Sequence, residues 1–225
     1  MRHFQELLQE LFQRVVLMGT VVESMVAAAI RGLMERSRLP FEEVAARERE
    51  VNDLQVEIDE RCVSLIALQQ PMAGDARFVF MASRICTELE RIGDKAVSIC
   101  QNARFVLEAP PLRPLVDLPI MADATQAMVR NGLTAMVQRD CELANRVLED
   151  EKKVDAFRDQ IFRSLLTYMM ADPGTIQRAL SLILISRNLE RVGDHATNIA
   201  EEVIYWLQGR DIRHGKGAAH ERSSE

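Results

Sequence analysis

Glycine and proline are scarce in this chain, 10 and 7 among 225 residues, and aromatic residues make up only 5%. So few turn formers and rings leave little from which to build a sheet, and the chain reads as all-α. Four cysteines, Cys62, Cys86, Cys100 and Cys141, are scattered with no CxxC pair. That spacing fits small thiols in a reducing compartment better than a disulfide framework. Basic residues are outnumbered, 28 Lys and Arg against 34 Asp and Glu, for a net charge of −6. A nucleic-acid binder needs a basic face to replace counterions, so no nucleic-acid partner is expected. No window approaches 18 uncharged apolar residues; the longest candidate, 179–186, is far too short to span a bilayer. Met1-Arg2-His3-Phe4-Gln5-Glu6 carries charges where a secretory signal needs an apolar run. A soluble, cytoplasmic protein is the expectation. Missing too are a Gly-rich phosphate loop, a serine nucleophile elbow, a Cys–His pairing and any Glu-x-x-His motif of the ferritin-like di-iron type. Catalysis is therefore not expected.

What the chain does have is a repeat. Leu89-Glu90-Arg91-Ile92-Gly93-Asp94 returns as Leu189-Glu190-Arg191-Val192-Gly193-Asp194. Around it the apolar residues step four, three, four, three: Ile85, Leu89, Ile92, Ala96, Ile99, Ala103, Val106, and again Ile185, Leu189, Val192, Ala196, Ile199, Val203, Trp206. That is the seam of a helix packed in a bundle. Taken in order, the same periodicity predicts helices over 3–38, 41–69, 75–108, 120–139, 141–170 and 176–209. Breaks fall near Pro40, Pro71, Asp140 and Pro173, with Asp75 and Asp140 as expected N-caps. Four of the seven prolines lie in 109–119. The organisation expected is two tandem three-helix bundles, 1–108 and 120–209, joined by the Pro-rich linker 109–119 and followed by a polar, poorly ordered tail, 210–225.

The repeat keeps more than its seam. Glu90 and Asp94, like Glu190 and Asp194, stand one helical turn apart and follow the buried leucine by one and five residues, which turns them outward. The second helices align as well, Glu48 and Asn52 with Glu151 and Asp155. A single acid pair at this spacing is ordinarily a solvated face beside arginines such as Arg91 and Arg191. Retention of outer residues in both copies shifts the reading toward a site, because a bundle needs only its seam. Gly93 and Gly193 point to crowding there, by a neighbouring helix or by a ligand, since glycine inside a helix costs about 1 kcal/mol against alanine. Carboxylates on adjacent helices form an oxygen-rich cluster suited to hard cations. The second half is richer, with Glu151, Asp155, Glu190, Asp194 and, further along, Asn198 and Glu201. The first offers Glu48, Asn52, Glu90 and Asp94, with Ser98 where Asn198 would be. The second site is expected to bind metal more tightly. His195, beside Asp194, fits a surface role as well as ligation.

These residues resemble the PhoU family, cytoplasmic regulators of bacterial phosphate uptake. The likeness runs over about 18–214 and includes Val51-Asn52, Ile58-Asp59-Glu60, the doubled E-R-[IV]-G-D, Lys152-Lys153-Val154-Asp155 and Leu166-Thr167-Tyr168-Met169-Met170. The resemblance implies two three-helix bundles carrying Fe, Mn, Mg or Zn on their E/D-x-x-x-D pairs. It carries the motif over to Glu48, Glu90 and Asp94, and to Glu151, Asp155, Glu190 and Asp194; Asn52 departs from the acidic pattern. It further implies a homodimer that acts with the ATPase subunit of a phosphate ABC transporter and with a sensor histidine kinase, reaching the membrane only through these partners. Negative regulation of the phosphate-starvation response is the implied role. A metal-dependent enzyme and a plain helical scaffold are the competing readings.

Overall fold

A computed structural model describes residues 2–112 and 117–210 of the chain. Its elements are α1 (Arg2–Met34), α2 (Leu39–Gln69), α3 (Ala73–Leu107), α4 (Asp117–Gln138), α5 (Cys141–Ala171) and α6 (Ile176–Gln208), with one 3-10 turn at Pro173–Thr175. Among the described residues there is no strand. The fold is all-α, two three-helix bundles in tandem. Residues 113–116 of the expected linker and 211–225 of the expected tail lie outside the described residues.

Local chemistry explains the helix ends, with three corrections, the first being that α1 stops at Met34, four residues short of expectation. Pro40 sits in the first turn of α2, where its missing N–H is not needed. Asp140 caps α5 as expected, its Oδ1 accepting from the backbone N–H of Glu142 at 2.8 Å and of Leu143 at 3.0 Å. Asp75 does not cap α3. The chain leaves extended backbone at Met72 (φ −68, ψ 163), so Asp75 falls inside the first turn and offers charge to the helix's positive end. α4 begins at Asp117, three residues ahead of expectation, because Pro119 is tolerated within a first turn. The ends of α1 and α4 are built alike. Arg36 (φ 53) and Arg139 (φ 55) both take the left-handed conformation usually given to glycine. The next residue closes each turn, Ser37 N–H to Gly32 O at 2.9 Å and Asp140 N–H to Ala135 O at 3.0 Å.

The four-three seam is buried as read: Ile85, Leu89, Ile92, Ala96, Ile99 and Ala103 are fully buried, and so are Ile185, Leu189, Val192, Ala196, Ile199 and Val203. α1 buries more than a stripe, because Val21, Val26, Ala28 and Ile30 are buried beside the seam residues Val15, Met18, Val22 and Met25. Consequently, and contrary to the expectation from uncharged runs, a stretch within His3–Met34 is long and apolar enough, by composition, to cross a membrane. Most of that stretch is enclosed by the other helices.

The halves meet along two helix pairs. α3 packs on α6, with Arg84 reaching Glu202 at 3.2 Å and Glu88 reaching His195 at 2.7 Å. As the numbers rise along α3 they fall along α6, so the pair is antiparallel. α1 packs on α4 in the same sense: Glu23 accepts from Arg130 at 2.9 Å, and Gly19 lies against Leu133.

Candidate metal-binding faces

In the second half the seam of α6 points inward, which puts Glu190 and Asp194 on the side facing α5. There the residues predicted from sequence do come together. Glu151 of α5 is half-buried, and burial raises its carboxyl above the ordinary range, helped by the nearby charges of Asp194 and Asp155. A carboxyl raised by burial and by like neighbours is one that a cation would relieve.

Arginines already occupy part of that role. Arg158 of α5 donates to Glu190 Oε1 at 2.8 Å and lies 3.8 Å from Asp155. Its other contact is Asp159, at 2.9 Å. Arg191 reaches Asp194 at 3.1 Å and stands 3.8 Å from Glu190. Only 14% of the Glu190 side chain is exposed, so its ion pair with Arg158 is shielded from solvent far better than an ordinary surface pair. Sequence reading missed Arg158.

The first half is thinner in acids but also in counter-charge. Gln55 stands where the repeat places Arg158 in the second half. Among the described residues, Glu48, Glu90 and Asp94 make no ion pair within 4.0 Å, because Arg91 leans toward Glu88 at 3.6 Å instead. Burial, then Asp94, pushes the Glu90 carboxyl up, against Arg91, His195 and Lys95. Asn52 and Asp94 are exposed. Ser98 donates to the backbone carbonyl of Asp94 at 2.9 Å.

One expected contributor goes elsewhere. Asn198 does not continue the face of Glu190 and Asp194; its amide donates to Glu88 of α3 at 2.9 Å. Each step of four residues overshoots a helical turn by about 40°, so two steps carry Asn198 round to the neighbouring bundle. Glu201, part-buried, lies seven residues beyond Asp194 on α6. His195 is part-buried and likewise turned to Glu88, away from Asp194's partners.

The paired glycines do not mark a tight approach. A Cβ on Gly93 would meet Val51 at 3.6 Å and Met25 at 3.7 Å, and one on Gly193 would meet Val154 and Met128, both at 3.6 Å. These are ordinary contacts inside each bundle, against the valines that precede Asn52 and Asp155.

The donor set is hard oxygen throughout and fits a hard cation in kind. As the side chains stand, however, no three acids, histidines or cysteines among the described residues converge on a point that would hold an ion. Arg158 and Arg191 would have to swing aside for Glu151, Asp155, Glu190 and Asp194 to share one. The thiols contribute nothing here: burial pushes Cys62, Cys86 and Cys100 up to about 12, the mark of inert core residues.

Comparison with known proteins agrees with the two-bundle fold. The PhoU domain model matches twice, over residues 15–103 and 118–203, one copy for each bundle. The chain belongs to the PhoU family. It is 37% identical over 214 residues to the phosphate-specific transport system accessory protein PhoU homolog of Pseudomonas putida, covering 95% of this chain and 84% of that one. It is 37% identical to the phosphate-specific transport system accessory protein PhoU of Escherichia coli, over 95% and 89% of the two chains. The crystal structure of PhoU from Pseudomonas aeruginosa superposes with a TM-score of 0.89 at 35% identity, over 92% of this chain and 100% of that one. PhoU from Streptococcus pneumoniae shares the fold, with a TM-score of 0.85 at 24% identity.

Proposed function

We propose that this chain is a non-enzymatic negative regulator of phosphate uptake and of the phosphate-starvation response. It acts in the cytoplasm by contact, with the ATPase subunit of a phosphate ABC transporter and with a phosphate-sensing histidine kinase, as a homodimer. The observation that carries this reading is likeness over nearly the whole chain to proteins named as accessory proteins of phosphate-specific transport, through both bundles rather than one. Those names describe accessory proteins and no reaction.

Metal binding is the second part of the proposal. A divalent or iron-type ion would be held in the second half by Glu151, Asp155, Glu190 and Asp194, and in the first by Glu48, Glu90 and Asp94 with Asn52. Support comes from the burial, and then the like-charged neighbours, that raise Glu151 and Glu90. Bound charge would release that crowding and free Arg158 and Arg191 to face solvent or a partner.

Deleting the gene should leave phosphate-starvation genes on in phosphate-rich medium, and the wild-type gene should restore repression. Purified protein should pull down the transporter ATPase subunit or the cytoplasmic part of the kinase. Repression that survives deletion would end the regulatory reading. Elemental analysis of protein purified without chelator tests the metal separately, with Glu190→Ala/Asp194→Ala at equal abundance as the comparison.

A further inference from the structure

The two ends of the molecule are built on the same plan and finished differently. At one end, a cavity of about 230 Å³ lies between the end of α1 and the start of α6. Its two arginines are spent on backbone: Arg36 donates to the carbonyls of Val106, Leu107 and Ala109, at 3.4, 3.1 and 2.5 Å, and Arg178 to that of Pro110 at 2.6 Å. The chain segment leaving α3 satisfies both.

At the opposite end a larger cavity, about 400 Å³, lies between the start of α3 and the end of α4. Arg139 holds the left-handed position that Arg36 holds in the first half, and Trp206 stands where the repeat places Val106. Arg77 enters from the first turns of α3, as Arg178 does from α6. Here no carbonyl or carboxylate among the described residues takes either guanidinium. Arg77 Nε is shut off from solvent with no hydrogen-bond partner. Arg139 is 5.1 Å from the centre of the Trp206 ring. Nε itself is enclosed, so what Arg77 offers the cavity is its terminal guanidinium nitrogens, which also lack a partner among the described residues, and guanidinium N–H groups at a lined cavity are ordinarily satisfied by something.

The rest of the lining says what that something is. Phe12, Phe78 and Trp206 form an aromatic wall, with ring centres 6.2 Å and 5.5 Å apart in sequence. Asp75 offers carboxylate oxygens, and the Gln5 and Gln9 amides offer both donors and acceptors. Two guanidiniums match the edges of a phosphoryl group, and a carboxylate suits a sugar hydroxyl. The aromatic wall suits a planar ring, and the volume lies within the range of small-ligand sites and far exceeds a bare oxyanion. We infer that this cavity is a binding site for a nucleoside phosphate, its phosphoryl groups on Arg77 and Arg139, its ribose on Asp75 and its base against the aromatic wall.

The chain reports on this site by itself, because Trp206 is its one tryptophan. Full-length protein is titrated with ADP, with inorganic phosphate and with adenosine, following Trp206 emission and heat of binding. Chelator is present throughout, so that metal on the acidic faces plays no part. ADP should saturate the signal, and Arg77→Gln and Arg139→Gln should each weaken it at least about tenfold, as expected for loss of a charge-assisted pair. Arg178→Gln, at the other end, should leave it unchanged, and circular dichroism should show all three variants fully helical. No saturable response to ADP would overturn the inference, as would equal affinity in the Arg77 and Arg139 variants. Inorganic phosphate binding as tightly as ADP would reduce the cavity to an oxyanion site and overturn the nucleoside assignment. Adenosine binding as tightly would remove the role given to the arginines.

Discussion

His195 Nδ1 lies 2.7 Å from Glu88 Oε2 across the contact between the two bundles, and the same oxygen takes the Asn198 amide at 2.9 Å. The link exists once. By the repeat, Glu88 corresponds to Asn188 and His195 to Lys95, so the duplicated position cannot form it. It is therefore a device of the joined molecule and not of either bundle alone.

Glu88→Ala should cost about 1–3 kcal/mol, since it strands two part-buried donors. His195→Ala should cost a similar amount, and the double variant less than the sum. Urea denaturation of the four proteins measures this. Burial works to raise the Glu88 carboxyl, but the hydrogen bonds from His195 and Asn198, then the charges of His195 and Arg91, hold it below its usual value of 4.5. A depressed carboxyl stabilises the fold above its unfolded value, and that stabilisation is lost as pH falls through the lowered one. The gap between wild type and Glu88→Ala should thus be full at neutral pH and shrink well below pH 4.5.

Arg158→Gln should tighten cation binding in the second half. The substitution installs the residue that the first half carries at the matching position, Gln55, and leaves Glu190 without its 2.8 Å partner. Counting acids alone ranks the second site above the first; counting arginines brings the two closer. Calorimetric titration with Mn²⁺ should show an affinity gain of several-fold in the variant, because a competing charge has been removed. An unchanged affinity would mean that Arg158 does not compete for these oxygens.

Gly193→Ala should stabilise the protein by about 1 kcal/mol, the helix-propensity difference, since the new methyl meets Met128 and Val154 at ordinary distance. Thermal denaturation with and without Mn²⁺ checks both readings of this glycine. A stabilised variant with intact ion binding places the glycine outside the site.

Thr125→Val should also stabilise, by about 1 kcal/mol. The Thr125 hydroxyl is fully buried with no hydrogen-bond partner, and the first half carries Val22 at the matching position. Equilibrium unfolding in urea measures it directly.

The seam was legible because a bundle helix repeats its buried residues on a fixed step, and that step needs only the local sequence. Glu90, Asp94, Glu190 and Asp194 were legible for the same reason, each being placed by one helix relative to its own leucine. Asn198 was misplaced because a rotation of about 40° per four residues accumulates over two turns and brings a different neighbour into reach. Arg158 was invisible as a partner of Glu190 because that contact depends on how α5 and α6 register across a turn. The Arg77–Arg139 cavity draws on the ends of four helices far apart in sequence, and no local pattern announces such a meeting. Asp75 failed as a cap because extended backbone at Met72 ends three residues earlier than the nearest good capping side chain.

The antiparallel pairing of α3 with α6, and of α1 with α4, gives the contact between the halves the form of an isologous dimer interface. This molecule is in effect two subunits held on one thread. Symmetric subunits must present identical ends, whereas joined ones are free to differ. The thread itself breaks the symmetry: the first residues leaving α3 lie over one end and seal it with Arg36 and Arg178, while among the described residues no such stretch lies between the halves at the other. One asymmetric pole on an otherwise two-fold body fixes an orientation, so a partner approaching this protein meets two different faces and can tell them apart.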